Sequence, residues 1–280
     1  MLRPAGGASY PVTISLWLPP IVRALATALI VVSASAVAEA LGPFWGALIA
    51  SLPVSAGPAY VFLAMQHDAP FVAASALGSA AANAATGLFL AVYGIAARAL
   101  PPWRGLGIGV LAWLGASGAI HKVAWTPVSA LVLNLVVYGA GFLLLNTIPN
   151  PEPAAIPPAP RRRCDLLARA VAVAGFVSLI VAVSSVLGPT ATGIAAVFPI
   201  SLISLIVIVR PRIGGVASSL LAANALRAML GFGAMLLALH LAIPLWGTPA
   251  ALAIALLVSA AWSAGLLLLQ SRRRPAPMER

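Results

Sequence analysis

The sequence predicts an all-α fold: a polytopic bundle of about nine transmembrane helices, built from two four-helix repeats. Three observations predict it. Of 280 residues, 62% are hydrophobic and 8% charged, with a mean hydropathy of +1.06. Soluble domains run near 45–50% apolar and about 25% charged, and sixteen basic plus five acidic residues cannot cover a water-soluble globule of this length. The apolar residues are also gathered into runs long enough to cross a bilayer, each bounded by Pro, Gly or charge. Finally, the two halves share motifs in the same order. A soluble enzyme, a disordered chain and a disulfide scaffold are excluded.

Residues 1–20 carry Arg3 but no clean signal peptide, because Pro4, Gly6, Gly7, Pro11, Pro19 and Pro20 interrupt the apolar stretch that one needs. No cleavage is expected. Spans are then read near 21–41, 43–65, 70–98 and 104–120, which form the first repeat, 21–120. The last of these is short and Gly-rich (Gly105, Gly107, Gly109, Gly115, Gly118), so a re-entrant segment is its alternative reading. A helix at 127–146, within a linking segment 121–146, joins the repeats. The stretch 147–163, TIPNPEPAAIPPAPRRR, reads as an extended proline-rich cytoplasmic linker. The second repeat, 164–269, holds spans near 164–187, 190–209, 213–240 and 246–269. Residues 270–280 form a basic cytoplasmic tail.

The net charge is +11. Its basic residues sit between apolar runs and in the tail, where cytoplasmic loops collect them. No basic patch interleaved with aromatics is present, so no nucleic-acid partner is expected. With the N-terminus outside, Arg98, Arg104, Arg161, Arg162, Arg163, Arg169, Arg210, Arg212, Arg272, Arg273, Arg274 and Arg280 all fall inside; Arg3, Arg23 and Lys122 fall outside. A rival with eight helices, in which 104–126 does not cross, partitions the charge almost equally well. Lys122 is the only lysine. Arginine over lysine, with abundant alanine, points to a GC-rich bacterial genome. The single cysteine, Cys164, excludes an intrachain disulfide and a CxxC motif.

The internal repeat rests on LGPFWGALIASLPVS at 41–55 against LGPTATGIAAVFPIS at 187–201. Without a gap, Leu41, Gly42, Pro43, Ala50, Pro53 and Ser55 align with Leu187, Gly188, Pro189, Ala196, Pro199 and Ser201. AANA at 81–84 then matches AANA at 222–225, and PPWRG at 101–105 parallels IPLWG at 243–247. Four helices, a joining helix and four more would set the second unit upside down, a recurring plan of secondary transporters. The pattern GPxxGxxAxxP at 42–53 resembles the small GlpM-like bacterial inner-membrane proteins, and a tandem pair of such units would cover most of the chain. That resemblance implies a bacterial inner-membrane setting. It carries over no activity and no site residue.

Candidate functional residues follow from cost. A mid-span proline removes a backbone hydrogen bond, and in lipid the freed carbonyl needs another partner. Pro53 and Pro199 are therefore read either as broken helices lining a midplane site or as packing kinks, with Ser55 and Ser201 either donating to the freed carbonyls or facing a cavity. Asn83 and Asn224, each within AANA, suit amide hydrogen bonds across helix interfaces. Arg227 shares a helix face with Asn224 and lies deep in an apolar run, where a guanidinium costs at least about 2.5–3.5 kcal/mol. Its expected partner is Glu39, backbone carbonyl, water or an anionic solute. His67 and Asp68 read as a solvated corner, and the three histidines are too scattered for a metal site. No GxSxG, HExxH, P-loop or CxxC motif is present, so neither an enzyme nor a cofactor is expected. The resulting expectation is a secondary transporter or exporter of a small solute with a site near Pro53, Pro199, Asn83, Asn224 and Arg227. Its partners would be the lipid bilayer, a small anionic solute and a second copy of the chain. The alternative is a non-transporting membrane subunit or assembly factor.

Overall fold

The computed structural model of the chain describes residues 21–22, 24–29, 32–33, 56–147 and 163–272. Pro53, Ser55 and Glu39, the linker 147–163 save its ends, and the terminal segments lie outside those residues. After helical turns within 21–33 come six helical elements: α1 (Ala56–Gln66), α2 (Ala69–Ala99), α3 (Pro102–His121), α4 (Pro127–Thr147), α5 (Arg163–Ala196) and α6 (Ile200–Arg272). Three helical stretches are long and apolar enough to cross a membrane: α2, Pro127–Asn146 of α4, and Leu167–Leu269 across α5 and α6.

Helix α2 is the axis of the molecule. Its alanine-rich sequence favours helix strongly. It is opened by Asp68, whose carboxylate accepts from the Phe71 N–H at 3.1 Å, and Pro70 follows in the first turn. It ends where Leu100 turns extended ahead of Pro101 and Pro102, the latter starting α3. Some 31 residues at 1.5 Å each make α2 about 46 Å long. It packs against α3, α4, α5 and α6, and 78% of its most apolar window is buried, against 28% for α4. The small side chains of α2 let those four elements close in around it.

Helix α4 shows what the outer surface faces. Val128, Val132, Leu135, Val136 and Leu143 form an exposed apolar stripe. On the opposite side, Ala130, Asn134, Tyr138 and Leu145 are buried. The exposed face is thus the more apolar one and the polar groups point inward. In water this inverts the usual amphipathic pattern, but it suits an element surrounded by hydrocarbon.

The expectation of nine separate helices needs correction. The expected boundaries at 187–190, 209–213 and 240–246 fall at or beside Gly188, Gly214 and Gly247, where one helical stretch passes to the next on a single non-helical glycine rather than through a loop, so the described residues form six elements. A straight 73-residue α6 would be about 110 Å long. Instead, α6 turns at Gly214 (φ 77, ψ 179) and Gly247 (φ 76, ψ 166), and α5 turns at Gly188 (φ 74, ψ 171). This corner of backbone space belongs essentially to glycine. Two separate four-helix repeats are not supported among the described residues, in which α2 packs against elements of both expected halves. Nor do the two tryptophan motifs share a local structure: PPWRG opens α3 at Pro102, whereas IPLWG runs on as helix to the turn at Gly247. The glycine-rich fourth segment is a continuous helix, α3, in which Gly109 lets Phe89 and Tyr93 approach closely while Gly107, Gly115 and Gly118 face open space.

The glycine turns make a clean prediction. A Cβ at Gly188 or Gly247 meets nothing within 4 Å, so Gly188→Ala or Gly247→Ala carries only the backbone cost, about 1–3 kcal/mol. Gly175→Ala has equal space but helical backbone and is expected to gain up to about 1 kcal/mol. Thermal unfolding of the purified variants in detergent should order them Gly175→Ala, wild type, Gly188→Ala.

Candidate functional site

On α2, Ser75, Ser79, Asn83 and Thr86 recur at helical spacing, all buried on one side of the helix. Three of them bind the backbone of the segment that follows the Gly188 turn. Ser75 donates to the Pro189 carbonyl at 3.0 Å, Ser79 to Gly193 at 2.5 Å and Thr86 to Val197 at 3.2 Å. Tyr60 of α1 donates to Ser79 Oγ at 2.6 Å, and the Trp113 indole donates to Thr86 Oγ1 at 3.2 Å. The backbones also approach very closely: a Cβ on Gly193 would meet the Ser75 carbonyl, and one on Gly78 would lie 2.9 Å from the Thr190 carbonyl.

Helix α5 ends at Ala196, Phe198 and Pro199 are non-helical, and α6 begins at Ile200. The break expected at Pro199 is present. Its carbonyl partner is not Ser201, however. The Val197 carbonyl is met by Thr86, while Ser201 Oγ accepts from Arg169 at 2.8 Å and the Ser201 carbonyl from Ser204 at 3.0 Å. A hydroxyl two residues further along the same chain has left the break behind, whereas the neighbouring helix presents its hydroxyls broadside to it.

Beside this short segment lies a cleft of about 390 Å³ between α3 and α5. Trp113, Phe176 and Phe198 form its aromatic wall, with Trp113 edge-on to Phe198 at 5.0 Å and Phe176 at 5.5 Å from it. Ser117 and His121 are its polar side chains. The volume falls within the range of small-molecule sites, about 300–1,000 Å³.

Asn83 is fully buried. Its Nδ2 donates to Asn134 Oδ1 at 2.9 Å and to the Met229 carbonyl at 3.0 Å. Asn134 in turn donates to the Ala80 carbonyl at 2.7 Å, and the Tyr138 hydroxyl to the Asn83 carbonyl at 3.0 Å. This knot ties α2, α4 and α6 together. Asn224 has the opposite environment: it is exposed, and its Oδ1 accepts from Arg227 Nη1 at 3.2 Å. Arg227 is half-buried, with its guanidinium 5.9 Å from the Phe142 ring centre and its carbonyl accepting from the Trp262 indole at 3.0 Å. Asn83 and Arg227 therefore share the α2–α4–α6 region without meeting, and neither lines the cleft.

His67 is not a solvated corner. Its Nε2 lies 2.7 Å from Ser184 Oγ, and its ring stacks on Phe71 at 3.7 Å. His240 Nδ1 similarly lies 2.8 Å from the Ala73 carbonyl. The first ties the corner between α1 and α2 to α5, and the second ties α6 to α2. The polar residues that sequence reasoning passed over are Ser75, Ser79, Thr86, Asn134, Tyr138 and Arg210. Their signal was present: hydroxyls and an amide at positions 75, 79, 83 and 86 of an alanine-rich helix mark a polar seam. No family model, curated protein or solved structure matches this chain.

Proposed function

We propose that this chain is a multi-pass inner-membrane secondary transporter or exporter of a small solute. The observation that supports it best is the interrupted helix from Gly188 to Pro199, held to α2 by three hydroxyls and bordered by the cleft. Interrupted helices bring backbone dipoles to the middle of a bundle, where transporters build their sites. Solute entering from either side would contact Trp113, Phe176 and Phe198, with Ser117 and His121 selecting its polar end. In this reading the broken segment rocks against α2. The arginine partition favours an N-terminus outside and a C-terminus inside. Arg227 belongs to the reading as a contact for a small anionic solute outside the cleft.

The test is a deletion strain screened for solute accumulation and sensitivity, complemented with variants. Ser117→Leu narrows the cleft without touching the α2 hydroxyls. It is expected to yield normal protein levels and no complementation. Full complementation by Ser117→Leu would overturn the cleft as the route. The largely apolar wall of that cleft also suits a helix of another membrane protein, which is the second reading. That reading predicts loss of a partner protein from membranes of the deletion strain, with solute levels unchanged.

A further inference from the structure

We propose that the end of α2 and the Gly214 turn of α6 form a binding site for a phosphate-type anion, independent of whether the chain transports. The central group is Arg210. It is only 6% exposed. Its Nη2 donates to the Leu100 carbonyl at 2.7 Å, at the C-terminus of α2, and its guanidinium lies 5.9 Å from the Tyr93 ring centre. Among the described residues no carboxylate pairs with it; Asp165 pairs with Arg212 at 2.6 Å. A buried cation needs a paired anion or a full set of acceptors, and Arg210 has neither, because its Nη1 is buried without a hydrogen-bond partner. The Tyr93 hydroxyl is a second buried donor in the same state.

The surroundings suit an anion. The helix after Gly214 begins beside this guanidinium: a Cβ built on Gly215 would lie 3.6 Å from Arg210 Nη2 and in contact with the Ala97 carbonyl. The first turn of a helix presents backbone N–H groups and the positive end of its dipole. Buried Ser218, whose hydroxyl donates to the Gly214 carbonyl at 2.7 Å, closes that turn, and buried Ser219 follows it and accepts from Arg98 of α2 at 3.2 Å. Two arginines, a helix start and the Ser219 hydroxyl thus lie at one junction of α2 and α6, and one of these guanidinium groups has a buried N–H group unused. Arginine is the side chain that best matches phosphate oxygens. Basic pockets between membrane helices on the cytoplasmic side accept lipid headgroup phosphates, and a free phosphate presents the same chemistry.

The experiment measures thermal unfolding of the purified full chain in detergent, titrated with short-chain phosphatidylglycerol, phosphatidylcholine of the same chain length, and inorganic phosphate against chloride at equal ionic strength. Stabilisation by phosphatidylglycerol beyond phosphatidylcholine identifies a lipid headgroup; stabilisation by inorganic phosphate identifies a free anion; either supports the site. Arg210→Lys keeps a cation for the Leu100 carbonyl but loses the two-headed fork, and Arg98→Gln removes the second charge from a half-buried position. Each is expected to weaken the apparent affinity about tenfold or more. If Arg210→Lys fails to fold, Arg98→Gln alone decides. No stabilisation of the wild type by either phosphate source, or equal affinity in the folded variants, overturns the proposal.

Discussion

Gly193→Ala should abolish most folded protein, although it adds a single methyl group to a helical residue. The added Cβ would run into the backbone carbonyl of Ser75, which α2 cannot move without shifting a helix packed on several sides. Separating the two backbones would also strain the Ser75, Ser79 and Thr86 hydrogen bonds, since all three span the same close crossing. Overpacking of this kind costs about 3 kcal/mol at the upper end of its range, and each lost buried hydrogen bond adds about 1 kcal/mol. Against a total stability of about 5–15 kcal/mol, that is severe. Gly265→Ala is the control: its Cβ has open space and should leave the protein folded. Size-exclusion profiles of detergent extracts separate the outcomes. If Gly193→Ala extracts as a monodisperse species with wild-type thermal stability, the close crossing of α2 and the interrupted segment is not where the fold is held.

What the sequence made legible was composition and punctuation. Membrane character followed from too few charges, and α4 shows the reason in its outward apolar stripe and inward Asn134 and Tyr138. Pro199 was readable as a break and the boundary near 187–190 coincides with the Gly188 turn, because glycine and proline act through their own backbone, whereas the Gly214 turn fell inside an expected span, 213–240. Partners across the bundle were not readable. Ser201 is adjacent to the break in sequence, yet Thr86, more than a hundred residues away, meets the Val197 carbonyl. Arg210 looked like one more loop arginine in VRPRIGG, and only its docking on the end of α2 reveals it as buried. Arg227 drew attention by its depth in an apolar run and does lie well inside the helical stretch between the Gly214 and Gly247 turns, but its neighbour across the bundle, Phe142, was not readable. Local signals thus located the elements. Which side of each element became interior depended on α2 being central, and no local pattern encodes that.

The same distinction sets the second large effect, in which two asparagines in identical AANA motifs should respond oppositely to one substitution. Asparagine to aspartate keeps the shape and exchanges an amide for a carboxylate. At Asn83 the lost Nδ2 donates to Asn134 Oδ1 and to the Met229 carbonyl, so a carboxylate would face two acceptors inside a fully buried knot. Relieving it requires either burying a charge without a partner, at a cost of several kcal/mol, or protonating the acid to regain one donor. Asn83→Asp is therefore expected to lose about 3 kcal/mol or more at neutral pH, with part of the loss recovered near pH 5 as the carboxylate becomes neutral. At Asn224 the side chain is exposed and already accepts from Arg227 at 3.2 Å, so Asn224→Asp creates an ion pair three residues apart on one helix. Such pairs contribute about 0–1 kcal/mol, and the variant should match or slightly exceed wild-type stability. Thermal unfolding of both variants at pH 7.5 and pH 5 makes the comparison. Equal destabilisation of the two would mean that the motifs share one environment, as an internal repeat with equivalent faces requires. Tolerance of Asn83→Asp would instead remove the amide knot as the joint between α2, α4 and α6.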